Sequence, residues 1–185
     1  MRIISGSARG TKLYTLEGET TRPTLDRVKE SLFNIISNEI PNSVFLDLFS
    51  GSGAIGLEAA SRGARKVILC EKNKNAIEII KKNIEKTHMT NKVELNQISF
   101  DIFLKNKLKE KPNIIFIDPP YKTDYVKQSI EILLEDKKIN EDTLIIIETD
   151  EEERIRKEIE KLEVEIVDHR KYGRAHLIFI RYKNK

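Results

Sequence analysis

A chain of 185 residues has room for one sizeable domain and a small appendage, and 39% hydrophobic with 34% charged residues suits a soluble globular protein with a well-hydrated surface. No apolar run nears the roughly 20 residues of a membrane span, and Met1-Arg2-Ile3-Ile4 lacks the apolar core of a signal peptide, so a cytoplasmic protein without membrane partners is expected. A single cysteine, Cys70, excludes an internal disulfide and a cysteine-cluster metal site, fits a reducing compartment, and leaves core packing as its role; no metal is expected. The net charge of +3 is too small to name a partner. Both ends are nevertheless basic: Arg2, Arg9 and Lys12 open the chain without an acid among the first sixteen residues, and none follows His169.

In chain order, Arg2 to Ser5 and Thr11 to Leu16 read as two short strands joined by the turn Gly6-Ser7-Ala8-Arg9-Gly10, a hairpin too small to stand alone. It would form an appendage over residues 1–21, with one domain over 22–185. In TRPTLDRVKESLFNII, residues 21–36, Pro23 ends the extended segment and Thr24 can cap a helix that buries Leu25, Val28, Leu32, Phe33 and Ile36. Arg27 and Lys29 would share its other face, close to Arg22. From Val44 the pattern alternates. Strands are expected near 44–49, 66–70, 92–97, 113–118 and 142–148, and helices near 54–62, 73–87, 124–136 and 150–161, with a shorter one around 100–109. Gly63 is a helix stop and Asn73 a cap. This rhythm implies parallel strands with crossover helices. Strands near 163–168 and 175–182, parted by a short turn holding Gly173, make a closing antiparallel hairpin. The charges of Glu151 to Glu163 read as a solvated helix face.

The chemistry lies at strand ends. In VFLDLFSGSGAIGLE, residues 44–58, a buried strand runs into Ser50-Gly51-Ser52-Gly53 and a helix, and glycine there lets a ligand lie against the backbone at the helix N-terminus. Glu71 closes KVILCE about twenty residues later, the position from which a carboxylate holds the two ribose hydroxyls of a nucleoside. No Walker lysine follows the loop, which argues against a triphosphate, and its spacing differs from a dinucleotide fingerprint, which leaves NAD in second place. Asp47 would repel a phosphate and favour a cationic ligand. In IIFIDPPY, residues 114–121, two prolines without amide protons end a central strand in a stiff loop. The Asp118 carboxylate and Pro119 carbonyl become two acceptors beside one point, with the ring of Tyr121 next to them: a receptor for a planar group bearing an NH₂.

DLFSGSGAIGLE, Glu71 and DPPY together resemble the S-adenosylmethionine-dependent methyltransferases that act on amines, which share a Rossmann-like class I fold. TRPTLDRVKESLFNI, with MRIISGSARGTKL and KYG, is similar more narrowly to the 16S ribosomal RNA guanine-N2 methyltransferases, the RsmD family, over essentially the whole chain. The resemblance implies a seven-stranded, mostly parallel sheet with a C-terminal antiparallel hairpin and an N-terminal β-hairpin extension. It implies that Asp47, Ser50, Gly51, Ser52 and Gly53 line the methionine part of S-adenosylmethionine, that Glu71 holds its ribose, and that Asp118, Pro119, Pro120 and Tyr121 bind the target guanine. Arg22, Thr24 and Arg27 would lie beside the cofactor and the RNA. The family often has an acid after the third strand to contact the adenine amine; LNQISFD offers Gln97, Ser99 or the offset Asp101 instead. After KYG the family commonly continues with an acid and a threonine, where this chain has Arg174-Ala175. The expected substrate is 16S rRNA within small-subunit particles, met by a monomer that grips phosphates with Arg9, Lys12, Arg22, Arg27 and Lys29 around a flipped guanine. The alternatives are methylation of adenine N6 in DNA, since DPPY serves any planar amine, and a non-catalytic RNA-binding protein on a methyltransferase scaffold, against which the intact Gly51, Gly53, Glu71 and Asp118 speak.

Overall fold

The five apolar runs form β1 (Val44–Asp47), β2 (Lys66–Cys70), β3 (Val93–Asn96), β4 (Ile114–Ile117) and β5 (Leu144–Thr149) in a computed structural model that describes residues 1–16 and 23–183. β1 and β4 are buried at every position, as strands covered by helices on both faces must be. Alternate residues feed opposite layers. Phe45, Val67, Leu69 and Phe116 pack under α1 (Pro23–Ile35), α2 (Ala54–Ser61) and α3 (Lys74–Lys86) through Leu32, Phe33, Leu57 and Ile80. Leu46, Ile68, Ile115 and Ile117 instead meet α5 (Tyr125–Glu135) and α6 (Glu152–Ile159) through Ile130, Leu133, Ile155 and Ile159.

With β6 (Val164–Tyr172) and β7 (Ala175–Tyr182), the sheet has seven strands in the order β3-β2-β1-β4-β5-β7-β6. β1 runs parallel to both β2 and β4, β7 is antiparallel to β5, and β6 pairs antiparallel with β7. The direction of winding reverses between β1 and β4, and an open α/β sheet offers its ligand crevice at that point. Asn73 caps α3 by accepting from the Asn75 and Ala76 amides at 2.9 and 3.2 Å, and Gly63 follows α2 with φ of 103°, both as expected. Arg154 of α6 pairs with Glu151 and Glu158, and Arg156 with Glu152, all half-buried, so the solvated face anticipated there narrows to Glu153, Lys157 and Glu160.

Several local expectations are corrected. α1 begins at Pro23, whose fixed φ and missing donor suit a first helical position, so Thr24 lies inside the first turn instead of capping it. The helix expected over 100–109 is a short α4 (Phe100–Ile102) running into a π-helical turn over Phe103–Lys107. The N-terminal hairpin is confined to one bridge between Arg2 and Lys12, with the Ile3, Gly10 and Leu13 amides donating across it to the Thr11, Ile3 and Met1 carbonyls, and its turn bonds to α2. The Ile4 and Ser5 amides donate to the two Glu58 oxygens at 2.8 and 3.0 Å, and the Ala8 amide to Ser61 Oγ at 3.0 Å. Ile3 and Leu13 of this arm enter the core beneath α1 and α2. Arg22 and the expected boundary at residue 21 lie outside the described residues. Lys29, expected among the RNA-facing cations, is only 4% exposed: its ammonium lies 3.4 Å from Glu58 and donates to the Arg2 carbonyl, so it holds the arm down instead.

Candidate active site

Adjacent parallel strands end at one rim. The register of β1 with β4 sets Asp47 against Phe116, so the glycine loop and the Asp118-Pro119-Pro120-Tyr121 loop leave neighbouring strands side by side. Gly51 and Gly53 take φ of 53° and 79°, conformations that a side chain resists, and Gly53 is the N-cap of α2. The Gly51 amide donates to Glu71 Oε2 at 2.9 Å, while Glu71 Oε1 accepts from the Lys72 and Asn73 amides at 2.9 and 2.8 Å. One carboxylate at the end of β2 thereby fixes the loop at the end of β1.

The remaining loop residues divide between ligand side and foundation. Ser50 belongs to the foundation: its hydroxyl donates to the Asp47 carbonyl at 2.9 Å and accepts from the Cys70 amide at 3.1 Å, stitching β1 to β2. Ser52 is buried, and its carbonyl accepts from Asn83 Nδ2 at 2.9 Å. Asp47 lies beneath the loop, 1% exposed, accepting from the Gly56 amide at 3.2 Å. Burial, aided by the nearby Glu71 charge, pushes its carboxyl up to about 7. Cys70 is buried against the Ile98 carbonyl at 3.3 Å, and burial pushes its thiol up to about 12, so it packs and does not react.

At the end of β3 the Glu71 amide donates to the Asn96 carbonyl at 3.1 Å, which brings the 97–101 segment alongside. Gln97 is exposed there and Ser99 half-buried at the N-cap of α4. Asp101 is held below the usual carboxylate range, chiefly by the Ser99 hydroxyl. Beside them stands an aromatic group that the sequence reading did not foresee. Phe49, Phe100 and Tyr125 place their ring centroids 4.8 to 6.0 Å apart, contributed by the ends of β1 and β3 and the start of α5. Phe49 and Tyr125 stack at 4° and are half-buried, while Phe100 is tilted 45° to both and buried beneath them, so the two upper rings offer an apolar surface to a planar base.

Across the switch point, a cleft of about 650 Å³ is walled by the Asp118 to Tyr121 loop, the end of β5 and the β6–β7 turn. Asp118 and Pro120 are exposed, Pro119 is half-buried, and Tyr121 is 78% exposed with its ring against solvent. The loop is anchored from behind, where Thr123 Oγ1 donates to the Pro120 carbonyl at 2.8 Å and Arg154 Nη1 to the Thr123 carbonyl at 2.9 Å. Glu148, Asp150, Arg154, Tyr172 and Arg174 also line this cleft and were missed as site residues. The signal available was positional: Glu148 ends the apolar run LIIIE as Asp118 ends IIFID. Arg9, Lys12 and Arg27 are exposed on the outside of the arm and α1. Among the described residues no group of three or more His, Cys, Asp or Glu could hold a metal ion, and no helix is long and apolar enough to cross a membrane.

A family model described as conserved hypothetical protein 95 matches residues 1–181. The ribosomal RNA small subunit methyltransferase D of Haemophilus influenzae is 38% identical over 154 residues, covering 82% of this chain and 80% of that protein. Its namesake from Escherichia coli K12 is 36% identical over 152 residues, covering 82% and 76%. Among solved structures, the yhhF protein of Escherichia coli superposes with a TM-score of 0.82 at 26% identity, over 100% of this chain and 99% of that one. A hypothetical protein of Thermus thermophilus does so with a TM-score of 0.79 at 27% identity, over 98% and 99%.

Proposed function

The chain belongs to the conserved hypothetical protein 95 family, that of the RsmD methyltransferases, and has the class I methyltransferase fold; on that premise we propose that it methylates the exocyclic N2 of a guanine in 16S ribosomal RNA within small-subunit particles, with S-adenosylmethionine as donor. The observation that carries the reading is the adjacency of the glycine loop and Asp118-Pro119-Pro120-Tyr121 at the ends of paired strands β1 and β4. A donor held by the first would meet an amine held by the second.

The residues present fit that donor. Asp47 and Glu71 stand close enough for the Glu71 charge to raise the Asp47 carboxyl, a negative field suited to a ligand of net positive charge and hostile to a phosphate. Gly51 and Gly53 leave the backbone open to the methionine part, Glu71 faces the ribose, and Phe49, Phe100 and Tyr125 with Gln97 or Ser99 would take the adenine. When bound, S-adenosylmethionine supplies a methyl group on a sulfonium, ready for in-line displacement.

The acceptor side must make a poor nucleophile competent. A guanine amine has its lone pair delocalised into the ring. The Asp118 carboxylate and Pro119 carbonyl accept its two protons, which favours a tetrahedral nitrogen and stabilises the positive charge developing there. The stiff prolines fix both acceptors in advance, so positioning supplies much of the remainder. As nitrogen gains the methyl carbon it must shed one proton, and the exposed Asp118 carboxylate can take it and pass it to solvent. The base reaches this loop only out of its stack, with Tyr121 as stacking partner.

Asp118→Ala should lower turnover about a hundredfold or more with cofactor affinity unchanged. Near-normal turnover would defeat the mechanism. Incubation with labelled S-adenosylmethionine and free 16S rRNA, assembled small subunits or DNA should place the methyl on guanine N2, as read by mass mapping. Label on adenine N6 of DNA, or on nothing, would reject the assignment.

A further inference from the structure

β4, β5 and β7 are consecutive strands, and each brings one charged side chain to the same cleft. In the β4–β5 register Ile117 stands opposite Ile147, so Asp118 and Glu148 are the next residues on the two strands. Neighbouring strands lie about 4.8 Å apart, so the two residues leave β4 and β5 at the same level, and both line the cleft. On the far side β5 pairs with β7 through Thr149 and His176, and Arg174 occupies the turn just before β7. Across the sheet the cleft therefore offers an acceptor, a second acceptor and a cationic donor. The Tyr121 phenol reports on the same cluster: burial pushes it up, as do Asp150, Asp118 and Glu148, while Arg174 opposes them.

The Watson–Crick edge of guanine presents, in a row, the N2 amine as donor, N1–H as donor and O6 as acceptor. We infer that Glu148 and Arg174 are the specificity-determining residues of the site, Glu148 accepting N1–H and Arg174 donating to O6 while Asp118 and Pro119 hold the amine. This inference rests on the guanine-N2 reading above and explains how the site would choose guanine among bases that carry an amine. Adenine turns a lone pair at N1 toward the same carboxylate, and two acceptors repel. Burial pushes Glu148 up to about 7, so its charged form lacks solvation that an arriving N–H would replace. Arg154, the other cation lining the cleft, has donors on Glu151, Glu158 and the Thr123 carbonyl, which leaves the base edge to Arg174.

The test uses RNA in which the mapped target guanine is replaced by 2-aminopurine. This base keeps the C2 amine but has a lone pair at N1 and no O6. Wild type should prefer guanine by about a hundredfold in kcat/KM, because 2-aminopurine loses two base contacts. Glu148→Gln replaces an acceptor by a group that can donate to the N1 lone pair, so the preference should fall at least tenfold, with 2-aminopurine methylated faster than by wild type. Arg174→Met should slow methylation of guanine and leave 2-aminopurine unchanged. Glu148→Gln removes a half-buried acid, so folding is not endangered, and unchanged cofactor affinity with a thermal midpoint no lower than that of wild type verifies this. Equal loss on both bases, or an unchanged preference, overturns the inference while leaving the guanine-N2 reading intact. Wild-type protein that methylates no guanine N2 overturns the reading itself and this inference with it, and that failure is seen without any variant.

Discussion

Glu58→Ala is the change from which the fold should suffer most. The Glu58 side chain is fully buried on α2 and accepts from the Ile4 amide at 2.8 Å, the Ser5 amide at 3.0 Å and Arg62 Nε at 2.8 Å, with the Lys29 ammonium at 3.4 Å. Lys29 is 3% exposed at its side chain, so the variant strands a cation, and removing one partner of such a buried pair costs ~3–5 kcal/mol. The two amides lose their acceptors as well, at ~1–3 kcal/mol each if they stay dry. They lie on the half-buried arm, which can lift and hydrate them, so the net loss should be about 4 kcal/mol, or a fall of about 8–16 °C in Tm. Equilibrium urea unfolding measures it, and limited proteolysis should nick the released arm first. Lys29 adds a sign. Burial already lowers its pKa, and without Glu58 the folded state favours neutral Lys29 still more. The unfolded chain, with its lysine near 10.5, then binds more protons, so stability of the variant rises as pH climbs toward that value and the deficit narrows. Lys29→Met with Glu58→Leu should recover more than half of the loss. A deficit below about 1 kcal/mol, or one flat with pH, would mean that this network does not hold the arm.

Gly56→Ala should destabilise by ~1–3 kcal/mol in urea unfolding, because the new Cβ would stand 2.3 Å from Leu69 Cδ2 and 3.0 Å from Val67 Cγ1; a neutral variant would show that α2 can lift off the sheet. The Asp47 carboxyl is raised from 3.8 to about 7, so the stability it allows is complete below pH 4 and drains away as pH rises through about 7, on the order of 4 kcal/mol. Asp47→Asn should flatten that slope when urea midpoints of the ligand-free protein are compared at pH 5 and pH 8. Neutralising Arg9 and Lys12 together should weaken RNA binding and lower its salt dependence by a slope of about 2, leaving cofactor binding as it was; equal loss of both would assign these residues to folding.

What was legible in the sequence is what is contiguous in it. The glycine loop, the Glu71 strand end and IIFIDPPY each carry their whole meaning within a dozen residues, and the parallel sheet that unites them follows from strand–helix alternation. Contacts between distant segments left weaker marks. Glu58 binds the arm across more than fifty positions, and its one sign is an acid inside the apolar helix AIGLEAAS. Lys29 was assigned to the wrong face of α1 although its phase is that of the buried stripe, since 29, 32, 33 and 36 repeat at helical spacing; a charge at such a position marks a buried pair. Ser50 enters the candidate site through the family resemblance, and nothing local to it marks that the turn points its hydroxyl back at β2. Glu148 has the same strand-end placement as Asp118 but lacks the prolines that set Asp118 apart.

The arm and the glycine loop turn out to be held by the same side chains. Asn83 of α3 is fully buried; its Oδ1 accepts from the Tyr14 amide at 2.8 Å, and its Nδ2 donates both to the Tyr14 carbonyl and to the Ser52 carbonyl at 2.9 Å. Glu58 holds the start of the arm from α2, the helix that the glycine loop opens. The arm is thus clamped at both ends, by Glu58 near Ile4 and by Asn83 at Tyr14, and the second clamp shares its amide with the glycine loop. Two short strands could not position anything alone, since an isolated hairpin is marginal in water. Keyed to α2 and α3, the arm carries Arg9 and Lys12 in a relation to the glycine loop that the protein core fixes.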